Sequence, residues 1–170
     1  MSNPKDHSRD RNWLEELFRR VPGFRGYLEK EYRRESDKLQ RDWMADALER
    51  SKAGLEEAGR KLADAGAIKT LPELDRLRGR LDKLVGRLRH APHGYSGFFD
   101  LVQVDEALLD EIYAFDVAMM DAAGQLASET SALRHKAEGE VTAELEHLME
   151  AAAELDRRID RREDLLKGVG

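Results

Sequence analysis

The chain has 170 residues, no cysteine, 29 Lys+Arg against 35 Asp+Glu, and a formal net charge of −6; 38% of its residues are charged and 6% aromatic. Lack of cysteine excludes a disulfide framework, a thiolate metal site and a cysteine nucleophile, and no apolar stretch approaches the ~20 residues that span a bilayer. The polar opening residues lack the apolar core of a secretory signal, so the cytoplasm is the expected compartment.

Abundant Ala, Leu, Glu, Arg and Asp with only four prolines point to long helices. Residues 1–9 carry nothing to bury and read as a frayed tail. A short amphipathic helix is expected over 10–20, where Trp13, Leu14, Leu17 and Phe18 gather on one face. Val21-Pro22-Gly23 stops it, because Pro22 disfavours helical geometry at Val21 and Gly23 frees the turn. A long helix then runs over 24–65. Its apolar stripe opens with Tyr27, Leu28, Tyr32, Leu39 and Trp43, then settles into Met44, Leu48, Ser51, Leu55, Ala58, Leu62 and Ala65. Those alternating steps of four and three describe a 3.5-residue repeat, the seam of helices packed at shallow angles. The small layers Ser51, Ala58 and Ala65 admit a close partner, and a helix of about 60 Å needs a comparably long one.

Gly66 suits the position just past a helix end. Thr70-Leu71-Pro72-Glu73 reads as a capping box with proline in the first turn, opening a helix over 71–90 with Leu74, Leu77, Leu81, Leu84 and Leu88 on its seam. The short connection favours an antiparallel hairpin with the preceding helix. Residues 91–101 form a Gly/Pro/aromatic loop. Beyond it a periodic pattern covers 102–167 through Ile112, Phe115, Met119, Ala123, Leu126, Thr130, Leu133, Ala137 and Val141, then Leu145, Leu148, Ala152, Leu155, Ile159 and Leu166. Taken as one helix this is about 100 Å long; four-residue steps near 133–145, with Gly139 among them, mark a stutter or bend, and a continuous or gently bent helix is the expectation.

Charge is segregated. Residues 91–154 hold 14 acidic and 2 basic side chains, whereas residues 60–90 hold 9 basic and 4 acidic. Complementary helices lying side by side account for this. The basic ridge of the third helix (Arg76, Arg78, Arg80, Lys83, Arg87, Arg89) lacks interleaved aromatics and sits in an acidic chain, which argues against a nucleic-acid partner.

Candidate chemistry is sparse. Glu144 and His147 have the E-x-x-H spacing of carboxylate-bridged metal bundles, but those sites need a second copy and two further Glu, and none is present. His90 and His93 flank Pro92 with Asp100 downstream, too few ligands for a metal; His90 as a cation at a helix C-terminus is the plainer reading. Gly23-Phe24-Arg25-Gly26-Tyr27 and Gly94-Tyr95-Ser96-Gly97-Phe98 share a Gly-aromatic-x-Gly-aromatic pattern, which predicts two aromatic groups packed together at one end, with Trp43 in reach. Trp13, Leu14, Leu17 and Phe18, among Arg9, Arg11, Arg19 and Arg20, could dock on the bundle or lie in a membrane interface. Gly79 and Gly86, seven apart on the outer face of the third helix, each disfavour the helix by about 1 kcal/mol relative to Ala, which suggests close approach by another helix or subunit.

The segments VPGFRGYLEKEYRRESDKLQR (21–41) and LDKLVGRLRHAPHGYSGFFD (81–100) resemble a family of small, uncharacterised bacterial helical proteins. The resemblance implies a bacterial, cytosolic, all-α protein and carries no catalytic motif, ligand or partner.

The sequence therefore predicts one all-α domain over residues 1–170: an elongated antiparallel bundle or coiled coil with a short N-terminal helix and a very long C-terminal helix. The overhang beyond 140 would leave Leu145, Leu148, Ala152, Leu155 and Ile159 bare, a larger patch than monomers tolerate, so a homo-oligomer, most simply a dimer, or a helical protein partner is expected. The expected function is that of a non-enzymatic scaffold or adaptor, with peripheral membrane association and a metal-carboxylate enzyme as alternatives. No catalytic, cofactor-binding or metal residue is assigned.

Overall fold

In the computed structural model, residues 6–91, 97–101 and 103–168 are described, with side chains from Trp13 onward. Among them every regular element is helical: α1 (Asp6–Arg20), α2 (Lys30–Asp64), a 3-10 turn (Ile68–Thr70), α3 (Leu71–Arg89), the short α4 (Gly97–Asp100), α5 (Glu106–Ala132), a second 3-10 turn (Leu133–His135) and α6 (Glu138–Lys167).

Local signals fix most boundaries. α1 ends before Val21-Pro22-Gly23, with Gly23 in the left-handed region at φ +82°. α2 starts at Lys30 rather than 24, because the intervening backbone is held by tertiary bonds. The Tyr27 N–H donates to the Tyr113 hydroxyl, and the carbonyls of Tyr27 and Leu28 accept from Arg33. α2 closes at Gly66 (φ +76°), where the Ala67 N–H reaches the Leu62 carbonyl and the Gly66 N–H that of Ala63, a Schellman ending. The expected capping box at Thr70 does not form. Thr70 lies within the 3-10 turn with its hydroxyl 3.5 Å from that of Thr142, while Pro72 occupies the first turn of α3 as anticipated. The N-terminal cap of α5 is Asp105, whose carboxylate accepts from the Ala107 N–H at 3.1 Å.

The four long helices form a ring of neighbours in which α2 and α6 each pack against both α3 and α5. Side-chain pairs give their directions. Lys52–Asp82, Arg78–Glu56 and Arg89–Asp46 run α2 antiparallel to α3, and Arg162–Asp116 with His147–Glu129 run α5 antiparallel to α6. α2 and α5 are parallel, with Tyr27 beside Tyr113 at one end and Lys61 bonded to the Arg134 carbonyl at the other. α3 and α6 are parallel too, from Thr70–Thr142 to Arg87–Asp160. Since α3 and α5 do not follow each other round this ring, their connection, with α4 on its way, links opposite corners at one end of the bundle. α1 packs on α5, tied by Arg20 to Asp121.

The expectation of one very long C-terminal helix is overturned. The chain turns at Lys136 and Ala137, whose backbones are extended (ψ 148° and 156°), and the Glu140 carboxylate accepts from the Ala137 N–H at 2.9 Å to start α6. Gly139 is not the break; it sits inside α6. Nor is the stripe on α6 bare: Leu145, Leu148, Ala152 and Leu155 are 0–1% exposed and Ile159 6%. With α6 folded back along α5, the chain covers its own apolar row.

α2 and α5 approach each other closely at Gly54. A Cβ added at Gly54 would stand 2.6 Å from both the Cα and the carbonyl oxygen of Ser131, so Gly54, outside the expected small layers, admits the partner helix; of those layers Ser51 and Ala58 are buried, whereas Ala65 is exposed. Because the obstruction is backbone, it cannot swing away. Gly54→Ala should destabilise the fold by about 1–3 kcal/mol despite its better helix propensity, read as a lower midpoint in chemical denaturation.

Candidate functional site

The end of the bundle where α4 lies is polar inside. Arg162 of α6, 4% exposed, donates from Nε to Asp116 Oδ1 (2.6 Å) and from one terminal nitrogen to Asp37 Oδ1 (2.7 Å), while its other terminal nitrogen reaches Asp116 Oδ2 (3.2 Å). Asp116 also accepts from the Tyr27 hydroxyl at 2.5 Å. Asp37 Oδ2 accepts from Arg41 Nε (2.9 Å), and Arg41 in turn donates to the Leu88 carbonyl near the end of α3 (2.5 Å). Two arginines and two aspartates thus form a neutral buried quartet touching all four long helices. Burial opposes the charge on Arg162, but Asp116 and Asp37 outweigh it and hold its pKa well above the ordinary value. Burial, reinforced by the Asp116 carboxylate, pushes the Tyr27 phenol well up; burial also raises Tyr113.

Beside the quartet, Arg33 is wholly buried and donates to four backbone carbonyls: Tyr27 (2.6 Å), Leu101 (2.7 Å), Leu28 (3.1 Å) and Phe98 (3.2 Å). Its guanidinium fastens the segment before α2 to the end of α4, and burial lowers its pKa. The predicted aromatic group forms around it. Phe18, Phe24, Tyr27, Phe98 and Phe99 make a chain of edge contacts with centroids 5.4–5.8 Å apart, and Tyr113 stacks on Tyr27 at 5.3 Å. Trp43 lies further along, against Gly124 of α5. Tyr95 falls outside the described residues.

The opening of the predicted α2 stripe needs correction here. Leu28 is 68% exposed, and Tyr32, Leu39 and Trp43 are only half-buried, whereas Arg33, Ser36, Asp37, Gln40 and Arg41 point inward. A signal for this exists. Counting back from Met44 in steps of three and four lands on Arg41 and Asp37, and the row Leu155, Ile159, Leu166 has Arg162 at its missing seam position.

The other candidates are dispersed. Glu144 pairs with Lys136 (3.3 Å) and His147 with Glu129 (3.2 Å); among the described residues no group of three or more His, Asp or Glu could hold a metal. Asp100 pairs with Arg34 (3.2 Å), His90 is an exposed residue capping α3, and His93 lies outside the described residues. On α1, Leu17 is buried and Leu14 packs on the core, while Trp13 and Phe18 are 39% and 46% exposed. The four therefore do not share one outward face. No helix is long and apolar enough to cross a membrane among the described residues.

The basic ridge of α3 is mostly engaged within the chain: Arg78 with Glu56, Lys83 with Asp156, Arg87 with Asp156, Asp160 and Glu163, Arg89 with Asp46. Along the α3–α6 seam lies a groove of about 420 Å³, with Arg76 and Arg80 on one wall and Glu146 and Glu150 on the other. Leu145, Met149 and Ala153 line it, and Glu73 lies on the α3 side. Gly79 and Gly86 face open space; a Cβ at either would meet nothing within 4 Å.

Fold and side chains together define an all-α bundle protein. No family model, curated protein or solved structure matches the chain.

Two measurements probe the buried end. Arg162→Met would leave Asp116 and Asp37 buried without their cation, and should destabilise the fold by about 3–5 kcal/mol, seen as a large fall in denaturation midpoint. In an alkaline titration, Tyr27 and Tyr113 hold their protons more tightly folded than unfolded. Their contribution to stability is therefore full below about pH 10, the ordinary tyrosine value, and is lost as pH rises through the folded values. Phenolate absorbance from these two of the four tyrosines should appear together with loss of helical circular dichroism.

Proposed function

We propose that this chain is a non-enzymatic helical scaffold or adaptor, a bacterial cytosolic protein that acts through coiled-coil-type association with other helices, in itself or in a partner. The observation carrying this reading is the outward pair Gly79 and Gly86. Both sit inside a 19-residue helix with empty space before them. Neither has a turn to make or a neighbour to admit within the monomer, yet each weakens the helix by about 1 kcal/mol relative to Ala. A surface that benefits from close backbone approach gives them a purpose. The α6 stripe no longer supports association, because the chain covers it, so the contact surface moves to the outer side of α3 and its border with α6.

The polar chemistry fits this reading. The buried acids and bases of the quartet neutralise one another and touch backbone. Of the four apolar residues expected to meet a membrane, Leu14 and Leu17 are used by the bundle and Trp13 and Phe18 stay exposed.

Replacing both glycines by Ala tests the proposal. The double variant should unfold about 1–2 kcal/mol harder while losing the complexes that the natural chain makes, whether with itself or with another protein, as measured by sedimentation and by recovery of crosslinked partners. A variant that gains stability and keeps every complex would show that this face is free surface.

A further inference from the structure

The charges along the α3–α6 seam are arranged in two different ways. At one end the two helices close on each other: Lys83 and Arg87 reach Asp156 at 2.6 Å, and Arg87 extends to Asp160 at 2.6 Å. Between there and the Thr70–Thr142 contact at the other end, the groove lies along the seam. There Arg76 and Arg80 of α3 have no ion pair within 4.0 Å among the described residues, although Glu146 and Glu150 line the opposite wall. Residues 138–156 hold seven acidic and no basic side chains. Met149 is half-buried between the walls, and Ile68, 65% exposed, lies in the turn leading into α3 at this end of the bundle.

We infer that the groove between α3 and α6 is the contact surface of a symmetric dimer, with the same groove of a second copy as its occupant. This deepens the association reading above and rests on it. Charge symmetry selects that occupant. The α3 wall offers Arg76 and Arg80 beside Glu73, and the α6 wall Glu146 and Glu150, the latter also paired with Arg157 at 2.7 Å; the two walls run parallel along the bundle. A two-fold axis running along the groove, in the plane between the copies, lays the α3 wall of each copy across the α6 wall of the other, in parallel sense. Arg76 and Arg80 of each copy then face Glu146 and Glu150 of the other, and the methionines lie toward the axis. A surface matched to its own copy is what an isologous interface requires, and alternating signs of this kind fix register and suppress misaligned pairing. A partner of a single sign would satisfy one wall and be repelled by the other.

Charge exchange separates this arrangement from any other. The full chain should sediment as a dimer, and Arg76→Glu with Arg80→Glu in one chain should sediment as a monomer of unchanged helicity. A second chain carrying Glu146→Arg and Glu150→Arg should be monomeric for the same reason. Mixed in equal amounts, the two should form a heterodimer, since the first presents two acidic walls and the second two basic ones. Restored 1:1 association, with each chain alone at least tenfold weaker than the natural one, supports the inference. Three outcomes would overturn it: a monomeric natural chain, a natural dimer indifferent to both sets of changes, or two monomeric variants that stay apart on mixing. A dimer indifferent to the charge changes yet broken by the glycine substitutions would keep the association reading and move its surface. A monomeric natural chain that still yields glycine-dependent crosslinks to another protein would keep that reading with a different occupant. Loss of dimer and crosslinks alike, with no glycine effect, would end both.

Discussion

Arg162 is the residue on which the order of this bundle depends. Its guanidinium binds Asp116 of α5 through two nitrogens and Asp37 of α2 through the third, and Asp37 passes the connection to Arg41 and the Leu88 carbonyl of α3. Charged groups this deep carry a desolvation penalty that only near-complete pairing offsets. Sliding α6 by one turn, about 5.4 Å, would strand three charges in an apolar interior. Leucine rows tolerate such slips far better, because one methyl group resembles the next. The quartet therefore acts as the register pin, and the leucines supply the bulk of the burial.

The same logic organises the α4 end. Arg33 has no carboxylate in its hydrogen-bond set; four carbonyls from two separate segments hold it. Those carbonyls lie outside the long helices, that of Phe98 accepting also from the Leu101 N–H at 3.4 Å, and buried carbonyls need partners. One guanidinium satisfies four at once and draws residues 27–28 toward 98–101. The aromatic rings then close over the junction, with Tyr27 common to both: its ring packs on Phe24, Phe98 and Tyr113, and its hydroxyl joins the quartet. Polar and apolar parts of this end are thus one structure.

Surface charge has a second task. Segregation of basic α3 from the acidic start of α6 brings parallel helices together where Arg87 meets Asp156, yet does not close the whole seam. Surface pairs contribute little to stability, so this pattern matters more for which helix faces which.

The 3.5-residue rows are enough to determine that the protein is helical and where α3 and the later part of α2 run, and the paired Gly-aromatic patterns that two aromatic groups belong to one knot. Those are short-range consequences of periodicity, turn residues and side-chain size. What the sequence left open was decided by contacts distant along the chain. The turn at Lys136–Ala137 carries no proline or helix-breaking glycine; its marks are basic residues (Arg134, Lys136) ending one helix and acids (Glu138, Glu140) starting the next, a dipole signature that a continuous apolar row obscures. Folding there converts the supposed bare stripe into core. The charged seam positions Asp37, Arg41, Asp116 and Arg162 read as surface residues one at a time, because each is tolerable inside only when the other three arrive. Periodicity along one helix says which face is turned inward. Only tertiary structure says what waits there, since a buried charge is stabilised by partners 46 to 125 residues away.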